Sequence, residues 1–490
     1  MSTSTRTLSV SFLAALLLAA GCKLGPKYAR PEVPVPESWR ELGTAEQESL
    51  ANTPWWELFN DPPLLELISV ALNENKDLKV AVERIEEARA FYGFSRADLY
   101  PKVNVSASAS RVRASELGIP AFPSGTDNED SLYSVGGSVF WELDFFGRIR
   151  SANEAELAIV YATEQARRAV VLTLVADVAR VYVELRDIDQ RLAISRRTVE
   201  SRAQYVALAK DRFEGGVTSE LDWRQAEAEL HRTTSLMQDF ERQVAQKENE
   251  LSALLGRNPG PIVRGESLPA IAVPPAVPAG LPSALLERRP DVRAAEEQLV
   301  SSNARIGEAK ALLYPSIALT GAFGWESTEL NELFDSPAQS WSIGANLLQP
   351  IFNAGQNRSR VEVAESQQRQ ALYGYERTVL LAFREVEDSL VGLRQSGLRR
   401  ASEGARVAAE RKVLDLAELR YRGGVAAYLE VLDAQRSLFD AELDETSATR
   451  DELVNVIQLY KALGGGWPQS SDAESNADTQ QSPEGQDRTP

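Results

Sequence analysis

Three acidic residues follow two matching Gly-Gly motifs along this chain: Asp222, Glu430 and Asp433. Glu430 and Asp433 are one turn apart, so they lie on one face of a predicted helix. Carboxylates can exchange protons with a substrate, or they can form a charged ring that attracts cations. Proton exchange would require them to converge on a substrate, but Asp222 and Glu430 belong to different halves of the sequence and nothing shows that they converge. An enzyme is therefore the weakest interpretation.

The composition excludes most other site chemistry. The chain contains one His (His231), one Cys (Cys22) and two Met, so it cannot assemble a His/Cys metal cluster or a Cys/His dyad. Its formal net charge is -18, whereas nucleic-acid binding needs a concentrated basic surface. We therefore expect no metal site, no cofactor and no nucleic-acid partner.

The N-terminus predicts export. Arg6 precedes an apolar run at 8–20 that is too short to span a bilayer, so residues 1–21 are interpreted as a signal peptide. The run ends in Leu18-Ala19-Ala20-Gly21-Cys22, which resembles a bacterial lipoprotein cleavage box with its Leu one place further upstream than usual. Cys22 would then be the lipidated first residue. Lys23 follows it, and by analogy with lipoprotein sorting the absence of Asp at this position favours the outer membrane. The alternative is an ordinary signal peptide with an incidental cysteine.

The chain is internally duplicated. Two motifs recur, the first at an offset of 214 in sequence number and the second at an offset of 208. They are Leu99-Tyr100-Pro101 with Leu313-Tyr314-Pro315, and Arg212-Phe213-Glu214-Gly215-Gly216-Val217 with Arg420-Tyr421-Arg422-Gly423-Gly424-Val425. We predict repeats at 63–257 and 283–466, joined by a proline-rich linker at 258–282. A lipid-anchored extended segment is expected at 22–62, and the polar composition of 467–490 predicts a disordered tail.

Each half predicts the same order of elements: a helix, two strands, a long helix, a Gly-Gly turn and another helix. Residues 64–98 and 284–311 are rich in Ala, Glu, Arg and Leu, which favour helix. The long helices follow Gly147 and Gly355 and run for about 60 residues without proline, which corresponds to about 90 Å. The helix-hairpin turns are Gly215-Gly216 and Gly423-Gly424.

Apolar residues in both long helices follow coiled-coil spacing, with steps of four and three residues. They are Val171, Val175, Val178, Tyr182 and Leu185 in the first half, and Val379, Phe383, Val386, Leu390 and Leu393 in the second. A tunnel wall and a plain helical-bundle core would both produce this stripe.

Four predicted strands have the length needed to cross the apolar band of an outer membrane. They lie at 103–110, 133–143, 315–325 and 340–349. Four strands cannot close into a barrel, and an open sheet in lipid would leave two unsatisfied edges, so the chain must associate with copies of itself. Two chains would supply eight strands and three would supply twelve, and this arithmetic does not choose between them. A soluble β-sandwich attached to helices is the alternative.

These motifs resemble the outer-membrane factors of Gram-negative bacteria, which include TolC-like and OprM-like efflux proteins. The matching segments are Trp55-Trp56, 141–148, 288–296, 313–315, 349–352 and 421–435. The resemblance implies a mostly α-helical chain with a membrane β-barrel. It also implies a homotrimer in which a twelve-stranded barrel continues into a long twelve-helix tunnel. The implied partners are a periplasmic adaptor, or membrane fusion, protein and an inner-membrane pump of the resistance-nodulation-division type.

In such a tunnel the end far from the membrane must close when idle, and the Gly-Gly turns mark that end. The candidate gate residues are Asp222, Tyr421, Leu429, Glu430 and Asp433. The resemblance matches Leu429 and Asp433 to constriction positions and supports Asp222 and Glu430, whose carboxylates three chains would arrange as rings of negative charge. Ala426 stands where some members place a basic gating residue, so an ion-pair lock there is not expected. The alternative is that these residues are solvated on exposed helix faces.

The expected function is a passive outer-membrane exit duct for small toxic compounds, with a lipid anchor and a long periplasmic portion. Two alternatives stay open at this point: a duct for secreted polypeptides, and a periplasmic coiled-coil scaffold without a pore.

Overall fold

The computed structural model describes residues 23–40, 61–115, 128–265, 267–271 and 279–465. The predicted signal peptide, Cys22 and the tail at 467–490 lie outside these residues. The described residues divide into two compact units. The first falls within Met1–Glu32, Arg84–Glu164 and Ala294–Tyr375, and the second within Val33–Glu83, Gln165–Arg293 and Glu376–Pro490.

Eight helices occur in the described residues, four in each half of the sequence. The first half contains α1 (Pro62–Glu74), α2 (Lys76–Ala97), α3 (Arg148–Glu214) and α4 (Glu220–Leu254). The second half contains α5 (Pro282–Arg288), α6 (Pro290–Ala311), α7 (Gln356–Arg422) and α8 (Tyr428–Ala462).

The long helices confirm the predicted duplication. Helices α3 and α7 each have 67 residues and helices α4 and α8 each have 35, and the starting positions in both pairs differ by the same offset of 208. At about 1.5 Å per residue, the 67-residue helices are about 100 Å long. The predicted lengths of about 60 residues were therefore slightly short. None of the helices in the described ranges combines the length and apolar content needed to cross a bilayer.

The predictions of single helices at 64–98 and 284–311 were wrong, because each segment breaks once. The breaks fall at Asn75 and Arg289, which are equivalent positions at the offset of 214. Asn75 accepts the N–H of Leu78 at 2.9 Å, which caps the new helix. In the second half Pro290 begins the new helix, and the residue before a proline disfavours helical backbone.

Both break residues also stabilise the end of a distant helix. Asn75 donates from Nδ2 to the carbonyl of Leu254, the last residue of α4, at 2.9 Å. Arg289 donates from Nη1 to the carbonyl of Ala462, the last residue of α8, at 3.0 Å. Carbonyls at a helix end have no partner within the helix, so these equivalent contacts satisfy groups that would otherwise be unpaired.

The predicted coiled-coil stripe is largely buried in the second unit. Val175, Val178, Tyr182 and Leu185 belong to one hydrophobic core with residues of α1, α4 and α8. The predicted linker contributes to the same core through Leu268. In the first half the stripe is therefore packing surface between helices of a single chain.

All four predicted strands are present in the first unit, as β1 (Lys102–Arg113), β2 (Glu129–Leu143), β3 (Ser316–Ser327) and β4 (Gln339–Leu348). They form an antiparallel sheet in the order β1-β2-β3-β4. Strands β1 and β4 are its two edges, and the outer side of each pairs with no strand of the described residues.

The two faces of this sheet differ in chemistry. One row across it pairs Val105, Gly137, Phe323 and Trp341, which is characteristic of an apolar face. The adjacent row points to the other face and pairs Ser106, Gly136, Gly324 and Ser340. Alternation of this kind gives the sheet one apolar face and one more polar face, which is lined by small residues at its centre and also carries Glu142 and Glu326.

Candidate channel gate at the helix turns

The two predicted turns have the same backbone. Gly216 and Gly424 both have a φ of 71°, which favours glycine. Each turn is closed by a backbone hydrogen bond, from Val217 N–H to the Arg212 carbonyl at 2.8 Å and from Val425 N–H to the Arg420 carbonyl at 3.0 Å. These bonds satisfy the free carbonyls at the ends of α3 and α7, so the chain reverses directly into α4 and α8.

The structure places the candidate acidic residues beside these turns. Asp222 and Glu430 occupy equivalent positions in the first turns of α4 and α8, where a carboxylate interacts favourably with the helix dipole. Glu430 lies 3.6 Å from Arg420, measured between Oε2 and Nη2, and both side chains are exposed. Asp433 is exposed on α8, as is Leu429.

The acidic residues do not contact one another in one chain. Within the described ranges, no ion pair involves Asp222 or Asp433, whereas Glu430 has Arg420. Sequence reasoning missed Arg420 as the partner of Glu430. The two residues belong to different helices joined by the turn, and only the fold of the turn brings them together.

Tyr421 lies in a packed cluster. Its side chain is buried, its ring centroid is 5.8 Å from that of Tyr428, and the Arg212 guanidinium lies 4.8 Å from its ring centroid. Val431 and Leu432 of α8 complete the buried side of the cluster. Of the two roles considered for Tyr421, closure and packing, this position favours packing between the two helix hairpins.

A buried ionic cluster that was not predicted lies on the same helices as the candidate acidic residues. We define the Glu229 cluster as Glu229, Arg202, Arg232 and Arg436. Glu229 is 2% exposed and accepts hydrogen bonds from Arg202 at 2.5 Å, Arg232 at 2.8 Å and Arg436 at 2.7 Å. Arg202 is itself 3% exposed and also contacts Thr233.

The surroundings of the Glu229 cluster shift the pKa values of Glu229 and Arg202. Burial acts to raise the pKa of Glu229, but hydrogen bonds from Arg436 and Arg232 and the charge of Arg202 outweigh burial and lower that pKa. Burial lowers the pKa of Arg202. The cluster joins α3, α4 and α8, and it lies seven residues after Asp222 and three residues after Asp433 along their helices.

A second unpredicted contact lies in the groove that Tyr421 also lines. Tyr205 of α3 donates to Glu418 of α7, which also pairs with Arg422 at 3.2 Å. Burial, followed by the adjacent Glu418 carboxylate, raises the pKa of Tyr205. Together with Leu208, these side chains line a groove of about 500 Å³ between α3 and α7. The contact holds the two hairpins together close to their turns.

Comparison with known proteins identifies the family. The family model described as outer membrane efflux protein matches residues 67–257 and 281–465. The toluene efflux pump outer membrane protein TtgI of Pseudomonas putida is 38% identical over 460 residues, which cover 92% of this chain and 97% of TtgI. The cation efflux system protein CusC of Escherichia coli O6:H1 is 37% identical over 466 residues, covering 94% of this chain and 98% of CusC.

Solved structures show the same fold. A crystal structure of CusC superposes with a TM-score of 0.82 at 34% identity and covers 91% of this chain and 100% of that chain. The open state of the MtrE outer membrane channel of Neisseria gonorrhoeae gives a TM-score of 0.81 at 33% identity, covering 91% of this chain and 98% of MtrE. The predicted fold class is confirmed: this is the fold of trimeric outer-membrane channels, in which a β-barrel continues into a helical tunnel.

These matches also confirm the predicted place of action and the predicted type of function, an outer-membrane channel subunit of an efflux system. They extend over both halves of the sequence and over nearly the full length of the relatives. The chain belongs to the outer membrane efflux protein family.

Proposed function

We propose that this chain is the passive exit duct of a tripartite efflux system and that it works as a homotrimer. The observation that carries the proposal is the open four-stranded sheet with one apolar and one more polar face. Edge strands β1 and β4 cannot be left unpaired in lipid, so β4 of one chain would pair with β1 of the next. Three chains would give twelve strands around a polar lumen, continued by twelve long helices.

Small toxic organic compounds are the proposed cargo. Relatives are named for toluene, antibiotic and cation efflux, so the family name alone does not choose a substrate. The described chain offers Met237 and His231 as its Met and His side chains, and Met237 packs into a hydrophobic cluster. Soft copper ions favour thiolate, thioether and imidazole ligands, so this composition favours organic cargo. Passage through a duct changes no bond, and the proposal includes no catalytic step.

The proposed gate consists of Asp222, Leu429, Glu430 and Asp433. In a trimer, each position would recur three times around one aperture, so the carboxylates would form rings of negative charge that attract cations and repel one another. The ion pair with Arg420 would reduce the contribution of Glu430 to this charge. Asp222 and Asp433 would therefore contribute more of the ring charge than Glu430 does.

The proposed partners are a periplasmic adaptor protein and an inner-membrane pump of the resistance-nodulation-division type. The turns support an adaptor, because each one presents an exposed valine at an equivalent position: Val217 is 67% exposed and Val425 is 71% exposed. A trimer would present six such turns, each with one exposed valine. Repeated coiled-coil tips of an adaptor fit this surface better than a single globular partner does.

The proposed membrane anchor is a lipid on Cys22, after removal of the signal peptide at 1–21. Lys23 supports it by its position, because its Cα is 3.2 Å from the point where a Cβ would stand on Gly147. Gly147 lies between the end of β2 and the start of α3. A lipid on Cys22 would therefore begin close to the end of β2 that leads into α3.

The test is native mass spectrometry of the detergent-purified protein, followed by conductance of the same sample in planar bilayers. We expect a lipidated trimer that conducts. An unlipidated monomer without conductance would contradict the duct and favour the scaffold interpretation. If deletion of the gene abolished secretion of a protein and left drug susceptibility unchanged, the polypeptide duct would replace it.

The gate is tested on the same bilayers. The double variant Glu430→Ala/Asp433→Ala should increase single-channel conductance and weaken block by divalent cations, because it removes ring charge. Glu227→Ala is the matched control, since it removes a carboxylate from α4 that pairs with Arg224 and is not among the candidate gate residues. An unchanged conductance and an unchanged block in the double variant would remove these two residues from the gate.

A further inference from the structure

We propose that an acyl chain carried by Cys22 lies in a groove on the apolar face of the chain's own sheet. The inference rests on the proposed lipidation of Cys22 and goes beyond it, because it assigns the bound position of the anchor. We call this groove the acyl groove and define it by Val105, Val139, Phe323, Trp341 and Ile343.

The acyl groove is an open depression in the apolar face of the sheet. It has a volume of about 560 Å³, and its walls are aliphatic and aromatic side chains. Val105, Trp341 and Ile343 are among the most exposed apolar residues of the sheet, at 81%, 73% and 84%. Flexible hydrocarbon suits such a site, because it follows an irregular apolar surface and needs no polar contact.

Two glycines form the floor of the groove. Gly137 lies between Val105 and Phe323 in one row across the sheet, and Gly321 lies between Val139 and Ile343 in the next row on the same face. In a strand, a glycine leaves out one side chain and so lowers the surface. The bulky residues on either side then stand above these positions as walls.

The backbone does not require glycine at either position. A Cβ on Gly137 would lie 3.7 Å from its nearest atom, the Asn104 carbonyl oxygen, and a Cβ on Gly321 would lie 3.8 Å from the Ser342 carbonyl oxygen. Both distances are ordinary van der Waals contacts. The opposite face differs, because a Cβ on Gly324 would lie 2.5 Å from the Val135 carbonyl oxygen. Close packing thus explains Gly324, whereas at Gly137 and Gly321 the missing side chains leave space for something outside the chain.

The anchor is within reach of this space. Lys23 packs against Gly147, just beyond the strand end at Leu143. The near edge of the groove at Val139 is four residues further along β2, which is about 14 Å along the strand, or about 11 Å in depth for a strand tilted by about 40°. One half of a bilayer's hydrocarbon core is about 15 Å deep, so an acyl chain attached at Cys22 spans this depth.

Attachment favours the chain's own lipid over a free one. Apolar burial gives little net gain inside a membrane, because the surrounding lipid is equally apolar, so packing and ordering decide which chain fills the groove. A free lipid loses lateral freedom when it is held there. The Cys22 lipid has already lost that freedom through its covalent bond, so it costs less to order.

The test uses a fatty acid with a photoreactive diazirine near its methyl end, supplied to cells that produce the full chain. The purified trimer is checked by intact mass for modification of Cys22, then irradiated and mapped by peptide mass spectrometry. We expect intramolecular cross-links in the strand peptides that contain Val105, Phe323 and Trp341. Gly137→Leu/Gly321→Leu should fill the groove and reduce these cross-links severalfold.

Ala109→Leu is the matched control, because it adds the same side chain to the same face on the far side of the groove from Lys23, opposite Tyr133. It should leave the cross-links unchanged. If Cys22 is modified in the wild type but its cross-links are spread over lipids or over other strands, the inference is overturned. A second arm adds diazirine phospholipid to unlabelled protein, and equal labelling of the groove by this free lipid would also overturn it. An unmodified Cys22 mass would overturn the inference and the proposed anchor together.

Discussion

Replacing Glu229 with Gln should strongly destabilise the second unit, because it leaves a buried guanidinium without a counter-charge. Arg232 and Arg436 are almost half exposed, so their charges can turn to solvent. Arg202 is 3% exposed and has no such route. Loss of the partner of a buried charge costs about 3–5 kcal/mol, so we expect the free energy of unfolding to fall by about that amount.

The assay is urea denaturation of the purified protein, followed by far-ultraviolet circular dichroism. Glu227→Gln provides a matched control on the same helix, where the carboxylate pairs with exposed Arg224, and it should change the unfolding free energy very little. The double variant Glu229→Gln/Arg202→Met removes the buried charge as well, so it should recover most of the loss. If Glu229→Gln were no more destabilising than Glu227→Gln, the description of the Glu229 cluster as a buried charge network would be wrong.

The Glu229 cluster also predicts the direction of a pH effect. The folded pKa of Glu229 lies below its usual value, so its stabilising contribution is complete above the unfolded value of about 4.3 and is lost as the pH falls through the lower folded value. Wild type should therefore lose more stability on acidification below pH 4 than Glu229→Gln does. Equal losses in the two proteins would mean that Glu229 is not the group responsible.

Two further substitutions separate packing from chemistry elsewhere in the chain. Gly324→Val should lower the yield of trimer on gels, because its Cβ would meet the Val135 carbonyl oxygen at 2.5 Å. Gly321→Val is the control and should be tolerated. Equal yields of the two variants would contradict the close packing of the sheet face that contains Gly324. Tyr182→Phe removes a hydroxyl that donates to Asp61 at 3.0 Å, so it should cost about 1–3 kcal/mol of unfolding free energy. Burial raises the pKa of Tyr182 to about 12. As the pH rises above about 10, the unfolding free energy of wild type should therefore fall, and Tyr182→Phe should lack this decrease.

Local patterns in the sequence were sufficient for the main elements. Period-two alternation located all four strands, and the long proline-free runs located α3 and α7. The helix break at Arg289 was readable from the proline that follows it. The break at Asn75 had no comparable signal, because asparagine caps a helix only where the fold supplies the other contacts, here the carbonyl of Leu254.

The contacts near the candidate gate residues show the limit of prediction from local sequence patterns. The turns and the acidic residues beside them could be found because they repeat along the sequence. The Glu229 cluster could not, since Glu229 is 27 residues from Arg202 and 207 residues from Arg436. Charged residues on long helices are usually solvated, and only the packing of α3, α4 and α8 buries this one carboxylate.

The long helices of the two halves have equal lengths, and this has a consequence for engineering the chain. The offset in sequence number between the halves falls from 214 at Tyr100 and Tyr314 to 208 at Gly147 and Gly355, and it then stays at 208 to Gly256 and Gly464. Between Tyr100 and Gly256 the length divergence therefore lies in the strand hairpins, and none has accumulated along the four long helices. One inserted helical residue would advance the following turn by about 1.5 Å and rotate it by about 100°, which would misalign one hairpin tip with the other. An affinity tag or reporter peptide should therefore be inserted between Arg113 and Glu129, where natural variation in length has already been accepted.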